Sequence, residues 1–151
     1  MTVPIDVDRT APLIAHHEID IQAPLDKVWN LHTDVNSWPT WQTAITAAHL
    51  DGMLEPGASF EWTSYDFTVT STVYELASTS RVLWGGTSGG ITGVHEWLFT
   101  GSPSGVHVAT TESFAGEPVM ADVRGMQTVL DTSLVTWLDD LKKAAERLGP
   151  D

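Results

Sequence analysis

From Ala58 to Phe114, apolar and polar residues alternate in short runs divided by turn residues, and the alternation keeps its phase from one run to the next. That phase constrains the fold more than any other feature of the chain. Successive side chains of a strand point to opposite faces, and residues paired across a hairpin share a face. A turn at Tyr65–Asp66 pairs Trp62 with Val69 and Phe60 with Ser71. A tight turn near residues 77–80 pairs Val73 with Trp84. The turn in "TSGGI" pairs Trp84 with His95 and Val82 with Trp97. A turn through "GSPSG" pairs Phe99 with Val106, Trp97 with Val108 and His95 with Thr110. Phe60, Trp62, Val69, Trp84, Trp97 and Phe99 then share one face, while Glu61, Thr63, Thr68, Arg81 and Glu96 take the other. A two-residue slip in any of these registers would leave every face unchanged.

Before this region, "LIAHHEIDIQ" alternates as a strand with Ile19 and Ile21 on one face, after a loose leader. "APLDKVWNLH" reads as a helix with Pro24 in its first turn. "TDVNSWPTWQ" reads as a second short helix, capped by Thr33 or Asp34 and stopped by Pro39. Further strands are expected around residues 44–50, 58–64, 67–76, 81–86, 92–100 and 106–114. In the closing stretch 120–149, apolar positions from Val123, Met126 and Leu130 through Trp137 and Leu141 to Leu148 recur every three or four residues. Lys142, Lys143 and Arg147 stand near its C-terminal end, where the helix dipole favours cations. The order predicts an α+β domain in which a sheet of about seven antiparallel strands buries one face under one long helix. A single domain is expected over residues 1–151, with its ordered core at about 14–148.

Charge narrows the partners. Seven Lys plus Arg against 20 Asp plus Glu give a net charge of −13, with no basic cluster. Counterion release on nucleic acid and attraction to an anionic membrane surface are both unavailable to such a chain. The chain has no cysteine, so thiol chemistry is excluded. "MTVPIDVDRTAP" lacks a basic start followed by an apolar core and does not read as a signal peptide. A cytoplasmic location is the default expectation. Seven tryptophans exceed what a core of this size usually demands and favour an aromatic-lined pocket for a hydrophobic small molecule.

On the apolar face of these strands the strongly titratable side chains are His95 and Glu112, with Glu75 near the rim. The expected register sets Glu112 opposite Gly93 and diagonal to His95, with the Thr110 hydroxyl directly across from His95. A buried His–Glu pair that only orients the core fits this pattern. So does a pocket floor that binds or protonates a ligand, and the tryptophan surplus favours the second. Other motifs carry less. Gly86 to Gly90 matches G-x-S-x-G but lies between two strands rather than on a strand-to-helix elbow, so Ser88 reads as a turn residue. The histidines lack zinc-site spacing, and no glycine loop opens a helix to cradle phosphate. Neither a metal nor a nucleotide cofactor is expected.

"IDIQAPLDKVWNLHTDVNSWPTW", "GMLEPGASFEW", "TSTVYELASTSRVLWGG" and "TSLVTWLDDLKKAAER" resemble the polyketide cyclase/dehydrase-like branch of the START and pollen-allergen superfamily (SRPBCC). The resemblance covers about residues 14–148. It implies a helix-grip fold, a curved sheet around the long helix with a cavity between them that two short helices help to close. Members bind lipids, hormones, pigments or polyketides. The aromatase/cyclases it resembles carry an arginine inside the cavity; here Arg81 has the outward parity, and Arg124 stands at the start of the long helix. The expected function is a cyclase or dehydratase acting on a polyketide-like molecule. His95 would be its general acid/base, Glu112 the orienter of that ring, and Thr110 a hydrogen bonder to an oxygen. Trp41, Trp62, Val69, Trp84, Trp97, Phe99, Met126 and Leu130 are the expected ligand contacts. A carrier without turnover is the alternative. Either would act as a monomer or homodimer.

Overall fold

A computed structural model describes residues 3–147. Seven antiparallel strands form one sheet: β1 (Leu13–Ile21), β2 (Ile45–Leu50), β3 (Ser59–Ser64), β4 (Phe67–Ala77), β5 (Arg81–Ser88), β6 (Ile91–Ser102) and β7 (Gly105–Ala115). Their spatial order is β1-β7-β6-β5-β4-β3-β2. Two short helices, α1 (Leu25–Thr33) and α2 (Trp38–Trp41), carry the chain from one sheet edge to the other, and a 3₁₀ turn at Val35–Ser37 joins them. After β7 come α3 (Glu117–Ala121) and the long α4 (Val123–Glu146). This is the helix-grip arrangement expected from the sequence. Leu148, expected in the long helix, lies outside the described residues.

The hairpin registers of β3–β4 and β5–β6 agree with the parity argument: Trp62 faces Val69, Trp84 faces His95, and Val82 faces Trp97. Gly89 and Gly90 both adopt positive φ at the β5–β6 turn, as a two-residue hairpin turn needs. Ser88 closes β5 just before it. In β6–β7 the register differs by two residues. Ser102 pairs with Gly105 around a two-residue turn, so Phe99 faces Val108, Trp97 faces Thr110 and His95 faces Glu112. The faces are unchanged. Pro39 opens α2 rather than stopping it, because its fixed φ suits a helix's first turn and its missing N–H costs nothing there. Neither Thr33 nor Asp34 caps the 3₁₀ turn through its side chain; the Asp34 carboxylate accepts from the Ser37 hydroxyl instead.

The leader is not loose. Val7 packs with Leu83 and Val94 on the convex face, and the Ser113 hydroxyl accepts from the Asp8 N–H. There Arg81, outward as its parity requires, donates to Glu75, Glu96 and the Ile5 carbonyl. Glu75 reaches that face because a bulge interrupts β4 between Val73 and Glu75. On the concave side α4 lies across β1. His17 meets Asp131 at 2.8 Å, the Lys142 ammonium donates to the Asp20 carbonyl, and Asp140 accepts from both the N–H and the hydroxyl of Thr43. Among the described residues, no helix is long and apolar enough to cross a membrane.

Candidate functional site

His95, Thr110 and Glu112 meet on the concave face of β6 and β7. His95 is buried, and its Nε2 lies 2.7 Å from the Thr110 hydroxyl oxygen. That hydroxyl donates to the backbone carbonyl of Glu96 at 3.0 Å. Its single proton is thereby used, so the oxygen accepts from His95 and the imidazole carries its proton on Nε2. Nδ1 is left with a lone pair and no hydrogen-bond partner. Glu112 Oε1 stands 3.5 Å from that nitrogen. Burial lifts the Glu112 carboxyl from 4.5 to about 8. Burial, reinforced by the neighbouring His32, holds His95 well below its ordinary value. Both shifts favour uncharged forms, so the contact pairs a neutral acid with a neutral base rather than two ions. Gly93 keeps the space beside them open, since a Cβ there would lie 3.1 Å from the Phe114 ring and 3.7 Å from Glu112 Oε2.

Aromatic rings crowd around His95. Trp84, Trp97 and Trp137 lie 4.8, 5.0 and 5.5 Å from its ring. Trp137, projecting from α4, also meets Trp38, Trp62 and Trp84 at 5.2, 6.1 and 5.9 Å. These indoles occupy the space between sheet and helix. Phe99 belongs to the same cluster, as does Trp41 of α2, while Trp62 and its cross-strand partner Val69 are half-buried. Met126 and Leu130 are elsewhere. They pack with Leu13, Ala15 and Leu134 in a second cluster, so the structure does not bring them together with the tryptophans.

Open space among the described residues includes a cleft and a groove. A cleft of about 20 Å³ lies between β3 and α4, lined by Gln42, Trp62, Ser133, Thr136, Trp137 and Asp140 among others. An open groove of about 840 Å³ runs outside, along α1, α2 and the end of α4, past Leu31, Trp41 and Arg147.

Three residues at the site were missed by sequence reasoning. His32 of α1 is buried against Trp97 at 4.4 Å, with neither ring nitrogen partnered, and burial holds it down to about 3. Its spacing from Val28 and Trp29 puts all three on one helical face, a signal present in the sequence. Trp137 and Gln42 are the others. Trp137 was legible as part of the helix stripe, but nothing local marked it as central.

Residues 13–146 match the protein family described as "Polyketide cyclase / dehydrase and lipid transport". Among solved structures, a hypothetical protein from Helicobacter pylori superposes with a TM-score of 0.79 at 19% identity, over 97% of this chain and 99% of that one. A START superfamily protein from Mycobacterium smegmatis gives 0.75 at 10% identity, over 90% of this chain and 99% of that one. The di-domain ARO/CYC StfQ of the steffimycin biosynthetic pathway gives 0.74 at 12%, over 89% of this chain and 51% of its own length. The superpositions establish a shared fold. No curated protein matches the chain.

Proposed function

The chain belongs to the polyketide cyclase / dehydrase and lipid transport family, in the SRPBCC superfamily, and on that premise we propose that it removes water from a hydrophobic polyketide-like molecule. The observation that carries this reading is the neutral acid beside the neutral base, Glu112 and His95, in an apolar setting. His95 Nδ1 takes a proton from the carbon beside a ligand carbonyl. Glu112 gives its proton to the departing hydroxyl, so the C–O bond breaks as the C=C bond forms and water leaves. The imidazolium then returns a proton to the Glu112 carboxylate across the short gap, restoring both groups. Thr110 holds the ring in the tautomer that exposes Nδ1, which makes it a positioning residue. A ligand reaches the pair only if indoles give way, Trp137 above all, since its ring contacts most of the others.

Dehydration of the benzaldehyde–acetone aldol, followed through enone absorbance, tests the reading. His95→Ala and Glu112→Gln should each lower turnover by about 10²-fold or more. Affinity, read from tryptophan quenching, should stay within about threefold, the scale of a modest hydrogen-bond change. Wild-type turnover in His95→Ala would remove the acid–base role. Saturable quenching by the wild type without conversion would instead favour the non-catalytic carrier.

A further inference from the structure

We propose that the cleft between β3 and α4 is a recognition subsite for one neutral acceptor oxygen, a ketone or ester carbonyl, held by hydrogen bonds from Gln42 and Trp137. This deepens the reading above and rests on it only in taking the ligand to be an oxygenated hydrophobic molecule. Both residues line the cleft, both are more than nine-tenths buried, and each carries a side-chain N–H donor without a partner, Gln42 Nε2 and Trp137 Nε1. Buried donors are normally satisfied, and neither nitrogen is exposed to the cleft in the free protein, so a carbonyl in the cleft meets them once the two side chains turn toward it. The indole can only donate, which fixes the polarity of what it meets. About 20 Å³ suits a single oxygen-sized group rather than a whole molecule.

Charge selects the kind of oxygen. Asp140 lines the same cleft, and its carboxylate accepts from the Thr43 N–H and hydroxyl at 2.8 Å each. A second anion beside it would be repelled in this poorly solvated place, and the chain as a whole carries a net charge of −13. A carbonyl avoids that repulsion where a carboxylate or phosphate meets it. The Trp137 ring that would grip this oxygen also packs edge-on against His95 at 5.5 Å. Engagement of the cleft therefore acts on the very ring that separates it from the acid–base pair.

The test is an NMR titration of the isotope-labelled protein, following the indole N–H of Trp137. Acetophenone should move that proton downfield and saturably. Alpha-methylstyrene, which has C=CH₂ in place of C=O, should bind about tenfold more weakly, and benzoate more weakly than acetophenone. Gln42→Met should weaken acetophenone about three- to tenfold and leave alpha-methylstyrene unchanged. Equal affinities for the ketone and its hydrocarbon analogue, benzoate binding as tightly as the ketone, or an unmoved Trp137 N–H would each overturn the subsite. The wild-type titration decides this even if the Gln42 variant fails to fold. Glu112→Gln leaves the cleft intact and should keep the acetophenone shift, so a loss of turnover there bears on the acid–base reading alone.

Discussion

His32 is an imidazole delivered by a helix into a cluster of indoles, with both nitrogens unpartnered. Burial holds it neutral down to about 3, so at neutral pH it costs desolvation of two polar atoms and gains only ring contacts. His32→Phe keeps an aromatic ring in place and removes that cost. Thermal unfolding at neutral pH should show a gain of about 1 kcal/mol; a loss would mean that the nitrogens are satisfied. The contrast with His95 explains what was legible. A strand offers a side chain two faces, so the phase of the apolar residues left His95 one place to go. A nine-residue helix with a histidine in its last turn reads equally well as a polar end or as a buried stripe, and only the tertiary packing decides.

At the scale of elements, the concave face of the sheet could be read because the β3–β4, β5–β6 and β6–β7 hairpins preserved phase. The bulge in β4 that turned Glu75 to the convex face and the register along β6–β7 could not. The segment "GSPSG" is compatible with a loose loop or with a two-residue turn, and the two differ by one pair of residues. The tight turn forms, which puts Glu112 opposite His95 and moves Thr110 to the diagonal, still within 2.7 Å. The trio survives because a slip of two keeps the face. The arrangement of cleft and clusters was not legible, since it depends on how α4 lies across β1, and side-chain periodicity says nothing about that. At the start of α4 the Asp122 carboxylate caps the helix by accepting the Gly125 N–H at 3.0 Å. Asp122→Ala should cost about 1 kcal/mol in urea unfolding, with an unchanged m-value. A change below a few tenths would mean that the α3 segment caps the helix without it.

For the molecule as a whole, buried groups of two kinds pull the pH dependence of folding in opposite directions. His32 is held down to about 3 and His95 well below 6.5, both chiefly by burial. Below about pH 6.5 the unfolded chain takes up protons that these folded rings refuse, so stability is lost as pH falls from there. Glu112 works the other way. Its folded carboxyl stays protonated until about 8, while the unfolded carboxyl ionises above 4.5, so stability is lost as pH rises between those values. Just below 6.5 two histidines outweigh one carboxyl, and stability climbs towards that pH. Above 6.5 Glu112 dominates, and stability declines by about 1 kcal/mol by pH 8. The His107 pKa, raised by Asp20 and Glu18, adds a decline of the same sign, but the ring is 42% exposed and water screens it. Urea midpoints across this range should therefore peak near pH 6.5, and Glu112→Gln should remove most of the alkaline decline while leaving the acid limb in place. A wild type whose stability stays flat or rises from pH 6.5 to 8 would mean that Glu112 is ionised in the fold. His95 would then have no acid beside it to complete the loss of water.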